Sequence, residues 1–290
     1  MFNDVAKVYV NGRFLAPQDA MVSPFDRGFI FGDGIYEVIP AYGGRPFRWS
    51  QHLDRLNGNL AEVGIPQPMS SDEWASVLEE LLVAGGEKDQ SIYLQVTRGV
   101  APRDHAFPAD VMPTVFAYNQ ILRPVPEKIL RDGVTAITMQ DIRWQRCDIK
   151  TTSLLANVWL RQQAIASGAS EAILVRDGEV TEGAATNVFA VIDNTIYTAP
   201  HSTKLLPGVT RDLIVELLRS HKVDHEERSF SMEQMRTAQE IWLTSSTKEL
   251  VPVVRLDGAP VADGRPGPVF HQVYALFQEY KAECRSKTAA

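Results

Sequence analysis

The chain has 290 residues, enough for two domains or one large domain with substantial hydrophobic cores. Hydrophobic residues make up 44% and charged residues 22%, the proportions of an ordinary globular protein. The net charge of -7, without any basic run, argues against nucleic acid or an anionic membrane surface as a partner.

The cysteines and the N-terminal residues bear on the cellular compartment. Only Cys147 and Cys284 are present, which excludes a disulfide framework and is consistent with reducing conditions. Residues 1–7 lack a basic start followed by an apolar stretch, and no segment approaches the roughly eighteen apolar residues of a membrane span. We therefore expect a cytoplasmic protein. We also expect no metal centre, because the histidines and cysteines show no metal-ligand spacing.

The N-terminal region is predicted to combine a hairpin with two helices. Asn11-Gly12 lies between short alternating strands and predicts a tight hairpin turn. Ser50 precedes the apolar spacing of one helix and is expected to cap it. Ser70 and Glu73 have the spacing of a capping box before a second helix.

Strands at residues 91–97 and 114–118 complete this region, which we expect to be an α+β domain of residues 1–119. Residues 120–128 contain two prolines, and we interpret them as an extended connector between domains. Residues 129–290 then form the second, larger domain.

The second domain is predicted to alternate strands and helices. Asp177-Gly178 marks a hairpin turn between two of its strands. Helices are expected at about residues 153–167 and 211–220, and a closing helix carries Phe270 and Phe277.

Lys150 and Glu182 are the residues most indicative of chemistry. An amine and a carboxylate in two separate buried segments suit a cofactor that has an aldehyde and a pyridine ring, which is pyridoxal phosphate. The amine can condense with the aldehyde, and the carboxylate can keep the ring nitrogen protonated. The alternatives are a solvated surface lysine and a glutamate that only completes a turn. Cys147 is interpreted as a small core residue in preference to a nucleophile.

The segment Gly208-Val209-Thr210 immediately precedes a predicted helix. Its free backbone N–H groups, the positive end of the helix dipole and the Thr210 hydroxyl suit a phosphate group. Thr210 as an ordinary helix cap is the alternative, and the two roles are compatible.

Several motifs lie in order from about residue 26 to residue 250. They are Asp26-Arg27-Gly28, Phe31-Gly32-Asp33-Gly34-Ile35-Tyr36-Glu37, His52-Leu53-Asp54-Arg55-Leu56, Gln95-Val96-Thr97-Arg98-Gly99, Pro102-Arg103-Asp104-His105, Asp141-Ile142-Arg143-Trp144 with Lys150, Thr181-Glu182-Gly183, Pro207-Gly208-Val209-Thr210-Arg211 and Leu243-Thr244-Ser245-Ser246-Thr247. With these motifs the chain resembles one family of enzymes, the fold type IV pyridoxal-phosphate aminotransferases. This family holds the branched-chain and D-amino acid aminotransferases and aminodeoxychorismate lyase, and the chain is most similar to the D-amino acid aminotransferases.

The resemblance implies an α+β fold with a smaller, sandwich-like N-terminal α/β domain and a larger pseudo-barrel C-terminal domain. It also implies a homodimer whose site draws on both domains. Lys150 is the implied catalytic residue and carries the cofactor, beside Glu182. The implied phosphate ligands are Arg55, Val209, Thr210 and Thr247.

By the same resemblance, Tyr36, Arg103 and His105 bind the α-carboxylate of the substrate, and the loop that carries Arg103 and His105 is supplied by the other subunit. A planar guanidinium suits a carboxylate. The expected reaction is transamination of D-amino acids with a 2-oxo acid such as 2-oxoglutarate or pyruvate. The Pro102–His105 loop argues against the rivals in the family, which are branched-chain L-amino acid or (R)-amine transamination and the lyase. A cofactor-binding protein without turnover is the rival outside the enzyme class.

The sequence departs from the family pattern at three positions. Ala184 and Ala185 stand where hydroxyl residues commonly follow the Glu-Gly pair, so hydrogen bonds from those two side chains are absent. Ser153 stands where an asparagine often follows the lysine by three positions. We therefore expect the substrate range to be affected.

Overall fold

The computed structural model of the chain describes residues 5, 7–86 and 88–286. The expectation that residues 1–7 carry no leader pattern falls mostly on residues 1–4 and 6, which lie outside the described residues.

By backbone contacts the chain divides into two units. The first contains residues 1–123, 149–154 and 284–290, and the second contains Pro124–Asp148 and Leu155–Glu283. This division differs from the linear boundary expected from the proline-rich segment, because residues 149–154 return to the first unit.

An antiparallel six-stranded sheet forms the centre of the described part of the first unit. Its strand order is β2-β1-β6-β5-β3-β4, so the first hairpin pairs with the last strand of the unit. The elements are β1 (Val8–Val10), β2 (Arg13–Leu15), a 3-10 turn (Pro17–Asp19), α1 (Arg27–Phe31), β3 (Gly34–Tyr42), β4 (Arg45–Pro46), α2 (Trp49–Glu62), α3 (Ser71–Gly85), β5 (Gln90–Thr97) and β6 (Thr114–Ile121).

Local sequence signals decide two of the three predicted features here. Asn11 and Gly12 both have positive φ and join β1 to β2, which confirms the predicted hairpin. The Ser70 hydroxyl accepts from the Glu73 amide and the Glu73 carboxylate accepts from the Ser70 amide, which confirms the capping box. The predicted Ser50 cap is wrong: α2 already begins at Trp49, and the Ser50 hydroxyl donates to Gln51 instead.

The two faces of this sheet have different roles. Helices α2 and α3 pack on one face and bury a continuous apolar core. The other face carries half-buried aromatic side chains that contact one another across β3, β5 and β6. The core is built from residues such as Ile35, Ile39, Leu56, Leu60, Trp74, Leu81, Leu94 and Ile149, and the aromatic face from Tyr36, Tyr93, Phe116 and Tyr118.

The second unit contains a mixed sheet of nine strands in its described residues. Its main order is β12-β11-β10-β13-β14-β7-β8-β9, with β15 paired to β14. Its elements are α4 (Glu127–Asp132), β7 (Val134–Gln140), α5 (Leu155–Ala166), β8 (Glu171–Arg176), β9 (Glu179–Gly183), β10 (Asn187–Ile192), β11 (Thr195–Thr198), α6 (Val209–Ser220), β12 (His225–Glu227), α7 (Met232–Arg236), β13 (Glu240–Ser245), β14 (Glu249–Leu256), β15 (Ala259–Pro260) and α8 (Pro268–Ser286).

This second sheet curls. Strands β9 and β10 are consecutive in the chain and contact each other, with the Gly183 amide donating to the Thr186 carbonyl at 2.6 Å. In the hydrogen-bonded order, however, β9 stands at one end and β10 well inside the sheet. The sheet must bend round to bring the two together, as in a partly closed barrel. The predicted α+β class with a pseudo-barrel C-terminal part is therefore confirmed.

Helices α6 and α8 pack on this sheet. Trp242 of β13 stacks on Phe189 of β10 with ring centres 5.7 Å apart and contacts Phe270 of α8 at 6.5 Å. Among the described helices of the chain, none combines the length and apolar character that crossing a membrane requires.

The connector is shorter than predicted. Strand β6 continues to Ile121 and α4 already begins at Glu127, so both ends of the predicted segment 120–128 are regular structure. The prolines Pro124 and Pro126 lie in the part that remains extended.

Candidate active site

Lys150 lies in the first unit, on a segment that pairs with the start of β3. The Lys150 carbonyl accepts a hydrogen bond from the Tyr36 amide at 3.0 Å, and the Thr152 amide donates to the Gly34 carbonyl at 2.9 Å. The Lys150 amine lies 4.2 Å from the centre of the Tyr36 ring. Nowhere in the described residues does this amine form an ion pair. The structure therefore brings together two of the predicted site residues, Lys150 and Tyr36.

Two hydroxyls fix the lysine segment to the turn before β3. The Thr152 hydroxyl donates to the Gly32 carbonyl at 2.8 Å, and the Ser153 hydroxyl donates to the same carbonyl at 3.0 Å. Gly32 has φ 69°, and a Cβ there would lie 2.5 Å from the Ser153 hydroxyl. Ser153, one of the departures from the family pattern, thus has a structural partner in this chain.

Arg55 lies in a buried group of charged side chains on α2 and β3. Its Nε and NH2 groups donate to the two oxygens of Glu37 at 2.8 and 2.7 Å, and His52 Nδ1 lies 2.8 Å from Glu37 Oε2. Burial alone would raise the pKa of Glu37, but Arg55 and His52 hold it well below its usual range. Burial lowers the pKa of His52 below its ordinary value. The Arg55 fork is thus held in place by an ionised carboxylate.

Arg103 and His105 lie on an exposed loop and share one aromatic partner. The Arg103 guanidinium lies 5.3 Å from the centre of the Phe31 ring, and the His105 ring centre lies 5.5 Å from it. Within the described residues of this chain, neither side chain has a hydrogen bond or ring contact with Tyr36. The structure thus brings Arg103 and His105, two of the three predicted carboxylate ligands, to the same aromatic ring.

Glu182, near the end of β9 in the second unit, is buried, and both of its carboxylate oxygens accept hydrogen bonds. Its Oε1 accepts a hydrogen bond from Arg143. Its Oε2 accepts from the Asn187 side chain at 3.2 Å and from the Leu206 amide at 3.1 Å. Burial raises the pKa of Glu182 to about 7, although Arg143 opposes the shift. A carboxylate so desolvated gains from any further cation placed beside it.

Sequence reasoning did not identify the residues that hold Glu182. Arg143 donates to both oxygens of Asp141 at 2.9 Å, and Arg176 lies 2.9 Å from the same carboxylate. Burial would lower the pKa of Arg143, but Asp141 and Glu182 raise it above its ordinary value. The alternation of Asp141 and Arg143 ahead of Lys150 was part of the family motif, yet the pattern alone does not reveal that Arg143 reaches Glu182.

The first turn of α6 lies next to Glu182 through Asn187. The Asn187 side chain donates to the Leu206 carbonyl at 3.0 Å as well as to Glu182, and a Cβ on Gly208 would lie 2.0 Å from the Asn187 oxygen. In the described residues no side chain caps α6, which begins at Val209. The amides of its first turn are therefore available to an anion.

Thr210 is buried within this first turn, whereas the sequence placed it just before the helix, and Gly208 takes the N-cap position that was the alternative role of Thr210. Thr247 is half-buried in the turn after β13. The hydroxyl of nearby Thr244 is buried without a hydrogen-bond partner in the described structure. This hydroxyl, near the end of β13, can therefore form a further hydrogen bond.

Ala184 and Ala185 have unlike environments. Ala184 is buried in an apolar cluster with Leu160 and Ala164 of α5, so its side chain points into the core. Ala185 is exposed. Only the second position is therefore placed to alter contacts with a ligand.

Cys147 is buried, as predicted, and burial raises the pKa of its thiol, which opposes a role as a nucleophile. Across the described ranges, no cluster of three or more histidine, cysteine, aspartate or glutamate side chains is arranged to hold a metal ion.

Comparison with known proteins shows which family the chain is similar to. Residues 34–256 match the family model of the class IV amino-transferases. The D-alanine aminotransferase of Bacillus licheniformis is 42% identical over 272 residues, which cover 94% of this chain and 96% of that protein. The D-alanine aminotransferase of Staphylococcus haemolyticus is 40% identical over 278 residues, covering 95% and 98%.

Among solved structures, the branched-chain amino acid aminotransferase of Escherichia coli superposes with a TM-score of 0.87 over 98% of this chain and 97% of that one. At 24% identity this likeness shows the shared fold. The resemblance inferred from the sequence motifs is confirmed. The chain belongs to the class IV aminotransferases.

Proposed function

We propose that this protein transfers the amino group of D-amino acids to a 2-oxo acid such as 2-oxoglutarate or pyruvate, with pyridoxal phosphate as cofactor. The observation that carries the proposal is the extent of the likeness to D-alanine aminotransferases, 42% identity over 94% of the chain. When bound, the cofactor withdraws electrons from the α-carbon of the substrate, so that a proton can leave that carbon and return elsewhere.

Lys150 is assigned two tasks. Its amine would hold the cofactor in the resting enzyme and, once free, would move a proton at the α-carbon of the substrate. An amine without an ionic partner that lies against the Tyr36 ring supports this assignment, because no carboxylate competes for it. The flanking Thr152 and Ser153 hydrogen bonds hold the amine's segment while the amine changes partners.

Glu182 is assigned to the ring nitrogen of the same cofactor on chemical grounds. With its raised pKa of about 7, the buried carboxyl is stabilised in its charged form once a pyridinium lies beside it. Arg143 and Asn187 orient the carboxylate, so that it does not have to reorganise during turnover.

The residues that we assign to the phosphate carry groups that suit a dianion. The uncapped first turn of α6 offers the amides of Val209 and Thr210 and the Thr210 hydroxyl. Thr247 adds a hydroxyl, and Arg55, held by Glu37, adds a guanidinium.

Tyr36, Arg103 and His105 are assigned to the substrate carboxylate. Arg103 and His105 are exposed on a loop organised by Phe31, which suits a role towards a ligand or a second subunit. We further propose a cytoplasmic homodimer in which this loop serves the neighbouring subunit. Large apolar side chains that are exposed in the described structure support an interface of this kind. In the first unit they include Met21, Phe25, Phe29, Phe107 and Met112.

A half-reaction screen tests the proposal. Each D- and L-amino acid is mixed with the holoenzyme without an oxo acid, and the loss of the absorbance band of the lysine-bound cofactor is timed. We expect D-alanine, D-glutamate or D-aspartate to react at least about a hundredfold faster than the L-enantiomers. A preference for L-leucine or L-isoleucine would assign the chain to the branched-chain rival, and no reaction with any amino acid would indicate a cofactor-binding protein without turnover.

A further inference from the structure

The turn Phe31-Gly32-Asp33-Gly34, which we call the β3 turn, contacts two groups of site residues in the first unit. On one side it holds the lysine segment: the Thr152 amide donates to Gly34 and the Thr152 and Ser153 hydroxyls donate to Gly32. On the other side it reaches the loop of residues 101–108.

Phe31 makes the direct contact with that loop. Its ring is flanked by the Arg103 guanidinium and the His105 ring, and by the Arg27 guanidinium at 4.8 Å. The attraction between an aromatic face and a cation is weak at an exposed site. This is too weak a contact to fix a loop by itself.

Asp33 supplies the stronger connection. Its Oδ2 accepts hydrogen bonds from Arg27 Nε and Arg98 Nε, both at 2.8 Å, and its Oδ1 accepts from Arg98 NH2 at 3.0 Å. Both arginines are almost fully buried, at 3% and 5% exposure. Asp33 is therefore the carboxylate shared by two buried cations, and removing its charge would leave them uncompensated.

Each of the two arginines also contacts the loop of residues 101–108. Arg27 NH1 donates to the Asp104 carbonyl at 2.5 Å, and the Arg98 guanidinium lies 3.6 Å from the centre of the Phe107 ring. His105 lies between these two attachment points, and Arg103 directly precedes the first of them. The path from Asp33 to the carboxylate ligands is thus made of ion pairs, hydrogen bonds and one close ring contact.

The Asp33 carboxyl keeps its negative charge at neutral pH. Burial alone would raise the pKa of Asp33, but Arg98 and Arg27 together hold it below its usual range. The carboxyl is therefore ionised throughout the neutral pH range, and the connection does not switch with pH.

We propose that Asp33 is a positioning residue, which fixes the loop of Arg103 and His105 against the same turn that holds the Lys150 segment. The inference rests on the proposed function in that it takes this loop to bind the substrate carboxylate. Its consequence is that Asp33 governs the affinity for the carboxylated substrate without touching substrate or cofactor.

The test compares the holoenzyme with its Asp33→Asn variant, which keeps size and removes charge. We expect KM for D-alanine to rise about tenfold or more while kcat changes much less, because a misplaced loop weakens binding more than chemistry. When Asp33→Asn is combined with Arg103→Ala, the rise in KM should be well below the product of the two single rises, since Asp33 acts through the loop that carries Arg103. A rise in KM equal to the product of the two single rises would overturn the inference. Asp89→Asn, at an exposed ion pair with Arg285, is the matched control and should leave KM unchanged.

Two further measurements keep the inference testable. Phe31→Leu removes the ring contact but leaves both Asp33 ion pairs, and a smaller rise in KM is expected from it even if Asp33→Asn fails to fold. Hydrogen exchange of the amides in residues 101–108 requires no turnover, and Asp33→Asn or Phe31→Leu should accelerate it about tenfold. Unchanged exchange in both variants would overturn the positioning role, whereas a parent enzyme that fails to convert D-alanine contradicts the proposed function instead.

Discussion

The Lys150 amine lies 4.2 Å from the centre of the Tyr36 ring, and the Tyr36 amide donates to the Lys150 carbonyl. The two residues are 114 positions apart in the sequence, yet both their main chains and their side chains are in contact. This double contact aligns the amine with the aromatic face of the first sheet. It also gives the lysine a fixed position that does not depend on a charged partner.

The first prediction concerns the attachment of the cofactor. Borohydride reduction of the holoenzyme followed by peptide mapping should find the pyridoxyl label on Lys150. Lys150→Ala should lose turnover by several orders of magnitude, because the bonding amine and the proton carrier disappear together. Lys248, which is in the second unit near the proposed phosphate ligand Thr247, gives a control variant, Lys248→Ala, that should retain the label on Lys150. A label on any other lysine would contradict the assignment of Lys150 as the residue that bonds to the cofactor.

Tyr36→Phe separates the ring from its hydroxyl. The ring that lies against Lys150 remains, so labelling of Lys150 should be unchanged. The hydroxyl assigned to the substrate carboxylate is lost, and KM for D-alanine should rise about tenfold with a smaller change in kcat. Steady-state kinetics with D-alanine check this. A loss of labelling without a change in KM would show that Tyr36 serves the lysine alone.

Glu182→Gln should change how stability depends on pH. The folded pKa of Glu182 is raised from 4.5 to about 7. A carboxyl with a raised pKa contributes stability that is fully present below its unfolded pKa and is lost as pH rises through its folded pKa. In the cofactor-free protein, the stability of the parent relative to the Gln variant should therefore fall as pH rises from about 4.5 to about 7. Melting temperatures of the parent and the Gln variant across this pH range measure this fall. A difference in melting temperature that stays constant with pH contradicts the raised pKa of Glu182.

The buried pair of Glu37 and Arg55 should contribute far more to stability than an exposed pair. Glu37→Gln leaves the Arg55 guanidinium in the interior without its carboxylate, a change that costs about 3 kcal/mol or more. The same substitution at Glu80, whose carboxylate pairs with Lys7 near the surface, should cost about 1 kcal/mol at most. Thermal melting of the two cofactor-free variants decides the matter, and equal shifts would count against the importance of the buried pair.

Serine substitutions separate the two alanines that depart from the family pattern. Ala184→Ser places a hydroxyl in the apolar cluster beside Leu160 and should destabilise the protein by roughly 1–3 kcal/mol. Ala185→Ser is at an exposed position and should leave the melting temperature within about a degree. If Ala184→Ser proved as stable as the parent, the cluster would have to provide a partner for the hydroxyl.

Sequence reasoning succeeded where a few adjacent residues determine the backbone. The Asn11-Gly12 hairpin and the Ser70 capping box follow from the conformations that those residues prefer locally. It failed at Ser50, because the chain enters α2 through Arg48 with positive φ and starts the helix one residue earlier. A local preference for a capping residue does not determine the direction from which the chain arrives.

The partners of the proposed site residues could not be predicted for a related reason. Arg143 reaches Glu182 across 39 positions, and Glu37 holds Arg55 across 18. Such contacts depend on strand pairing and on which side chain lies opposite, which a single sequence does not specify. The family motifs contained these residues, but their pairing became visible only with the fold.

Residues 149–154 complete the first unit from far along the chain, and this constrains how the protein is made. Ile149 is part of the apolar core that α2 and α3 cover. A nascent chain that has only reached Arg123 lacks this residue, so the ribosome must deliver a further stretch before that core can close. A fragment ending at Arg123 is therefore expected to bind chaperones and to aggregate more readily than the whole chain. Lys150, the proposed catalytic lysine, lies in the same segment and reaches its position when this core closes.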